Sequence, residues 1–523
     1  MWFDSVEKEI ITHLKRDSPV TMTNALVNFK KICSLPLVWL VSLEASLEAE
    51  SKKGFFRLNH WRFSRKAKCL IVVAIVAVLL VSVFAFLPKQ SVGRGNVVPQ
   101  SGDNSTATPP AAANHDNGSS ISGIAQWFSP ISAGAAQSIG SKPPGLIQSY
   151  TIINSTVWME VAANAWAYFQ PGVGVNVNTG LPYAGGTGFT GFTDWDLGCY
   201  IQAVIDAQKL GLIGNDSAWD FSARIDDVLT FLENRPLNTE GYPYQFYDAT
   251  TGKNDSSVSS NEIVDAADTG RLFVALNNLI NYNNSLQQQI DNFVWNVYDN
   301  RSNYADLVPS IMRNSLNSTD IYSYYVYSGF ASFFSSLSNV PSKILNNILS
   351  ANVTYSPYGN VSLPEASITG DPLLCSVFEL NNNNSQLMAL SRLSRQVYLA
   401  SEAYHNATGQ YVAFSEGNKP SNGYIWEWVV LPNGDTWKIT GSGSSAYLNI
   451  NPIIYDKVAF SFLALYNTTY ARNMVIYLEQ CLPTPTSGYY DGADNIGNLV
   501  ADLGSNTNSL ILDAALYAIQ NNP

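Results

Sequence analysis

Charge is scarce in this 523-residue chain: 13 % of its residues are Asp, Glu, Lys or Arg, about half the usual share. Five cysteines exclude a disulfide-built scaffold and a cysteine-rich zinc array. Four histidines leave little material for a histidine-based metal site. Lys and Arg number 29 against 41 Asp and Glu, and the net charge of −12 argues against nucleic acid as a partner. A Gly-x-Ser-x-Gly elbow, a phosphate loop, a His-Glu-x-x-His pair and a dinucleotide fingerprint are all missing, so hydrolase triads and nucleotide-driven transfer rank low. No cofactor and no metal is expected. Apolar residues are plentiful at 46 %, enough to bury a large core and exclude global disorder. The length suggests roughly three domains.

The few charges are unevenly placed. Residues 1–68 hold 12 Lys and Arg and 7 Asp and Glu, a net +5, and the remainder carries a net −17. The divider is Cys69 to Leu87, CLIVVAIVAVLLVSVFAFL, with 19 residues and no charge. At 1.5 Å per residue it matches the ~30 Å apolar thickness of a bilayer and predicts one transmembrane helix. Arg57, Arg62, Arg65, Lys66 and Lys68 crowd its N-terminal side, while only Lys89 and Arg94 follow closely. The positive-inside rule then places residues 1–68 in the cytoplasm and the bulk of the chain outside. The length of the run and its distance from Met1 argue against a cleaved signal peptide. A shorter run, Ile32 to Leu43, contains Pro36 and reads as a buried or interfacial helix.

N-glycosylation sequons agree with that orientation. They are absent before the span and follow it at Asn104, Asn117, Asn154, Asn215, Asn254, Asn283, Asn300, Asn317, Asn352, Asn360, Asn383, Asn406 and Asn467. Residues 88–145, rich in Ser, Gly, Ala, Pro and Asn, read as a flexible stalk. The reading is a single-pass cell-membrane protein with its C-terminal domain, residues 146–523, extracellular.

Helical periodicity dominates that domain. Trp158, Ala162, Ala165, Trp166 and Phe169 share one stripe, Val204, Ala207 and Leu210 a second, and Ala267, Leu272, Phe273, Leu276 and Leu279 a third. Further helices are predicted near 219–234, 285–299, 319–337, 341–350, 386–405, 453–466, 469–481 and 506–520. Alternation is confined to short stretches, chiefly Tyr424 to Ile439, where Asn433-Gly434 signals a hairpin. About eleven helices joined by long loops suit a mainly α toroid with a small β-hairpin insertion, in which loops at one end line a cleft.

Five blocks carry a resemblance. Phe192-Thr193-Asp194-Trp195-Asp196-Leu197-Gly198 comes first, then Asp268-Thr269-Gly270-Arg271-Leu272 and Phe414-Ser415-Glu416-Gly417. Lys457-Val458-Ala459-Phe460 and Gly488-Tyr489-Tyr490-Asp491-Gly492 through Asn508 complete the set. In this order they resemble the domain-of-unknown-function 3131 family over roughly 150–523. That family is similar to the glucoamylase-like domains of β-1,2-glucan enzymes. The resemblance implies an (α/α)6 toroid and a carbohydrate-active cleft with a glycan or polysaccharide as partner. The stretch from about 300 to 385 looks expanded and poor in family features, and Asp194 departs from the family pattern.

Glycoside hydrolysis needs a carboxylic acid to protonate the leaving oxygen and, in one geometry, a second carboxylate to activate water. Glu416, Asp196 and Asp268 are the candidate catalytic carboxylates. Asp196 could equally cap its helix, and Asp194 could cap it or join Asp196 on a cation such as Ca²⁺. Asp268 and Arg271, three apart on a helix, could pair with each other or bind substrate. Glu427, between Trp426 and Trp428, is either a buried carboxyl of raised pKa or an exposed strand residue. Trp195, Trp426, Asp491, Asp494, Asn506 and Asn508 are candidate substrate contacts. The two aspartates are also ordinary turn formers, and the asparagines could cap the last helix. Lys457 could be an ion-pair partner or a sugar contact. Cys375–Cys481 is the disulfide to test, with Cys199 a core thiol.

The leading expectation is a membrane-anchored surface protein that cleaves or rearranges a glycan. The alternative is a non-catalytic glycan-binding or structural envelope glycoprotein, with a surface layer or the envelope as candidate partner.

Overall fold

The computed structural model describes residues 144–185, 189–215, 218–239, 241–255, 264–295, 317–381, 383–419, 422–442 and 446–521. The N-terminal segment, the span at 69–87 and the stalk as far as residue 143 lie outside these residues, as does Asn300. Among the described residues no helix is long and apolar enough to cross a membrane.

A four-residue turn, α1 (Leu146–Ser149), leads into helices that alternate between two layers. In chain order they are α2 (Ser155–Trp166), α3 (Asp194–Lys209), α4 (Phe221–Asn234), α5 (Ala266–Tyr282), α6 (Gln287–Val294), α7 (Ile321–Phe333) and α8 (Val340–Ser350). They continue with α9 (Gly370–Phe378), α10 (Asn384–Thr408), α11 (Asp456–Tyr466), α12 (Thr469–Cys481) and α13 (Ser505–Asn521). The odd-numbered helices from α3 onward form a closed ring. Each packs on the next, α3 on α5 and so on to α11 on α13, and α13 returns to α3. The even-numbered helices pack outside them: α4 on α3, α6 on α5, α8 on α7, α10 on α9, α12 on α11 and α2 on α13. This is an (α/α)6 toroid.

Burial explains which helix takes which layer. α3 is buried continuously from Leu197 to Ala207, and α11 from Asp456 to Ala464. Outer α4 buries only the stripe Arg224, Ile225, Val228, Leu229, Phe231 and Leu232. A helix apolar on all sides must be surrounded, and a striped one covers it. Local signals set the helix starts. Thr193 and Asp196 form a capping box on α3, Asn383 and Gln386 another on α10, and Asp265 and Asp320 cap α5 and α7. α5 and α7 cross closely at Gly270 and Gly329. A Cβ on Gly329 would stand 2.1 Å from the Gly270 carbonyl oxygen, so no larger residue fits without moving a helix.

Four small sheets decorate the ring. β1 (Gly191–Phe192), β2 (Tyr247–Asp248) and β3 (Lys253–Asn254) form one, and β4 (Val353–Tyr355) pairs with β5 (Ser362–Pro364). The third is β6 (Glu416–Lys419), β7 (Gly423–Val430) and β8 (Thr436–Gly441), with the expected Asn433-Gly434 turn joining β7 to β8. The fourth is β9 (Ile453–Tyr455), β10 (Gly492–Asp494) and β11 (Leu499–Val500), with β10 central.

Several expectations are corrected. The expected hairpin has a third strand, which Glu416 begins. Residues 453–455 are strand, not the start of a helix. The stretch 300–385, which looked expanded and poor in family features, supplies two inner helices, α7 and α9. Cys199, Cys375 and Cys481 are all free, so the Cys375–Cys481 disulfide is absent. Cys375 instead donates to Asp371 Oδ1 at 3.3 Å from within α9.

Candidate active site

The first turns of the inner helices meet at one end of the ring. Ser505, opening α13, donates to Asp196 Oδ1 in the first turn of α3 at 2.8 Å. Asp268, in the first turn of α5, lies beside Asp196 and Asp194. Lys457, near the start of α11, pairs with Asp371 in the first turn of α9 at 2.6 Å, both side chains buried. Tyr322, near the start of α7, flanks Glu416 together with Asp371. Six helix N-termini thus surround one mouth, and their partial positive charge favours carboxylates there.

Glu416 reaches this mouth from β6, where it pairs with Trp426 of β7. It is 5 % exposed. Burial pushes its carboxyl up to about 7, and the Asp371 carboxylate adds to the rise. Lys457 and the phenols of Tyr322 and Tyr424 pull the other way. Gly417 lets the strand lie against its neighbours, since a Cβ there would stand 2.7 Å from Asp491 Oδ2.

Asp268 is the least committed carboxyl. It is half-buried. Burial raises its pKa well above the ordinary value, and Asp265, Asp196, Asp194 and Glu416 raise it further. Asp196 is held tightly: Oδ2 accepts from Thr193 N at 2.9 Å and Thr193 Oγ1 at 3.1 Å, and Oδ1 takes the Ser505 hydroxyl. Burial raises its pKa, and these donors oppose the rise. It therefore caps the helix and lines the mouth at once. Asp491 accepts from Thr507 Oγ1 at 2.5 Å. Its pKa is raised by burial and drawn down by Lys457.

Asp502 is a mouth residue that sequence reasoning missed. Burial pushes it up to about 7, helped by Asp491 and Asp196. It lies just before α13 in no recognisable motif, so only the fold reveals it. Asp371 was missed because α9 is short and buried on all sides, which erases helical periodicity. Tyr322 and Tyr424 carry no signal beyond aromaticity.

Other candidates stand elsewhere or serve structure. Asp194 does not share a cation with Asp196: it is sealed against Arg235 at 2.5 Å. Among the described residues no group of three His, Cys, Asp or Glu side chains is arranged to hold a metal ion. Arg271 does not pair with Asp268; it is 1 % exposed and bound to Tyr325 and Glu379. Glu427 is fully buried, its Oε1 accepting from Ile453 N at 2.8 Å, so its carboxyl braces β7 against β9. Asp494 closes its own turn by accepting from Ile496 N and Asn498 N at 3.2 and 2.9 Å. Asn508 is buried and staples Tyr489 to α13 through bonds of 2.7 and 3.0 Å. Asn506 is half-buried and its side chain has no hydrogen-bond partner among the described residues. Trp195 packs 6.2 Å from Tyr322, and half-buried Trp426 lies 5.1 Å from Tyr424. Aromatic rings thus accompany the carboxylates. Of the sequon asparagines described, Asn154, Asn215, Asn317, Asn352, Asn360, Asn383, Asn406 and Asn467 are exposed, and Asn254 and Asn283 are half-buried.

A closed double ring of helices with an acidic mouth defines the class of fold. Residues 160–521 match the family described as "Protein of unknown function (DUF3131)", and the chain belongs to that family. No curated protein matches it in sequence. The fold is similar to that of an endo-β-1,2-glucanase from Talaromyces funiculosus solved with sophorose, at 14 % identity, TM-score 0.50, covering 72 % of this chain and 88 % of that one. A glucoamylase-like protein from Bacteroides caccae aligns at 14 % identity and TM-score 0.49 over 71 % of this chain and 94 % of that one. An endo-β-1,2-glucanase from Chitinophaga pinensis aligns at 11 % identity and TM-score 0.47 over 70 % and 93 %.

Proposed function

We propose that the ring mouth binds a glycan and cleaves or rearranges it by carboxylate acid/base catalysis. The observation that carries this reading is the meeting of Glu416, Asp268 and Asp196 from separate segments, amid aromatic rings, with all three pKa values raised. Asp268 is surrounded by carboxylates and holds its proton most firmly, which suits the general acid. Glu416, backed by Lys457 and two phenols, is poised near neutrality, which suits the base. Asp196, saturated by its donors, positions the first turn of α3. The proton of Asp268 passes to the leaving oxygen, and the proton of the attacking water passes to Glu416.

The test uses the full chain in detergent with β-1,2-, β-1,3- and β-1,4-glucans and a mannan. β-1,2-Glucan heads the panel because the Talaromyces protein of like fold is named for it. New reducing ends are expected with the wild type, and a loss of roughly 10²–10⁴-fold in Glu416→Gln and Asp268→Asn. Binding without turnover in all three proteins would remove the enzyme reading and leave the glycan-binding one.

The same proposal places the ring outside the cell on a membrane anchor at 69–87. The charge asymmetry and the surface position of the described sequons support this. Expression in a glycosylating host, with endoglycosidase digestion of intact and opened cells, tests it. A chain that carries no N-glycan and is shielded in intact cells would overturn it.

A further inference from the structure

We infer that the mouth selects a glycan without carboxylate, sulfate or phosphate substituents, and that Asp268 enforces the selection. This rests on the glycan-acting reading above and narrows its substrate class. Among the described residues two cations stand beside the mouth's carboxylates, and each is already taken: Arg235 by Asp194 and Lys457 by Asp371. Asp196, Asp265, Asp268, Glu416, Asp491 and Asp502 remain without a cation of their own at the same end of the ring. Helix N-termini ordinarily welcome an anion. Here the first turns of α3, α5, α9 and α11 already carry Asp194 and Asp196, Asp268, Asp371 and Asp456, and α7 is capped by Asp320. At five of the six inner helices the anion-binding capacity is thus filled by the protein's own side chains.

What remains favours hydroxyl groups. A carboxyl that keeps its proton donates one hydrogen bond and accepts others, and an ionised one accepts only. A mixed set of the two satisfies a polyol in either direction. A substituent bearing negative charge finds, among the described residues, no unpaired cation to neutralise it and several carboxylates to repel it. Asp268 is decisive because its carboxyl is half-buried, open to solvent, and has no hydrogen-bond partner among the described residues. Asp265, Asp196, Asp194 and Glu416 all act on it from nearby.

The experiment compares one neutral oligosaccharide cleaved by the wild type with the same oligosaccharide oxidised to the uronate at C6. Dissociation constants are measured on the full chain at low and high salt for wild type, Asp268→Asn and, as a surface control, Asp226→Asn. Wild type is expected to hold the neutral form about 10–100-fold more tightly at low salt. The ratio should shrink severalfold at high salt and in Asp268→Asn, but not in the control. Equal binding of the two sugars, or an unchanged ratio in Asp268→Asn, overturns the inference while turnover of the neutral sugar leaves the glycan-acting reading standing. If no panel glycan is bound at all, it is the glycan-acting reading that fails, and this inference falls with it.

Discussion

Ser505 gives its hydroxyl to Asp196 at 2.8 Å across 309 residues of sequence, and this contact joins the last inner helix to the first. The same aspartate completes the capping box of α3. One side chain therefore starts a helix, closes the ring and borders the site. Replacing Ser505 with Ala leaves one buried oxygen of Asp196 short of a donor and should cost about 1–3 kcal/mol. A urea titration reads this as a lower midpoint at unchanged slope. A midpoint equal to wild type would show that the contact does not hold the ring.

Lys457 and Asp371 form a buried pair beside Glu416. Lys457→Met strands the Asp371 charge and should destabilise by about 3–5 kcal/mol, with most of the loss recovered in the Lys457→Met, Asp371→Asn double variant. It should also drive the Glu416 carboxyl higher, because the cation that draws it down is gone. Carbon-labelled Glu416 followed by NMR would reveal that shift, and an unmoved titration would refute the coupling.

Glu416 titrates near ~4.3 in an unfolded chain and at about 7 in the folded one. Between these values the folded state binds the extra proton. The stabilisation it brings is full below about pH 4 and is lost as pH rises through about 7, by about 4 kcal/mol. Glu416→Gln is neutral at every pH and should flatten that part of the profile, matching wild type at pH 4 and exceeding it at pH 8. Parallel stability profiles for the two proteins would contradict the assignment.

Toward the opposite end of the same two helices, Asp206 of α3 and Asp513 of α13 each have a buried Oδ2 with no conventional donor. Burial raises Asp513 well above the ordinary range, and Asp206 beside it adds to the rise. Arg271 and Lys209 oppose it. Gln202 Nε2 also donates to Asp206 at 3.1 Å. Stability from this pair is present at low pH and lost as pH rises through the raised value. Asp513→Asn supplies an amide donor at any pH, so its melting temperature should depend less on rising pH than that of wild type. A steeper dependence would rule out a carboxyl that keeps its proton on burial.

Much of this arrangement was legible in the sequence, and its gaps have physical causes. Apolar stripes such as Leu272 to Leu279 placed most helices. Asn433-Gly434 placed the hairpin turn. Helix α9 was invisible because nine residues buried on every side show no stripe, and Asp371 was lost with it. Glu427 looked functional from its tryptophan neighbours, but strand alternation turns it inward onto a backbone amide. Arg271 lies in a family block and serves the interior, since its guanidinium meets Glu379, a residue far along the chain. Asp502 joins the mouth only because the segment before α13 folds back beside Asp491, a contact that spacing alone cannot report.

The closure of α13 on α3 sets an order on the making of the protein. A nascent chain still threading from the ribosome, however far its early helices have formed, lacks Asp491, Asp502 and the hydroxyl that anchors Asp196. The site comes into being only once synthesis has passed Ser505, so a product terminated before that residue is left with an open arc and half a mouth.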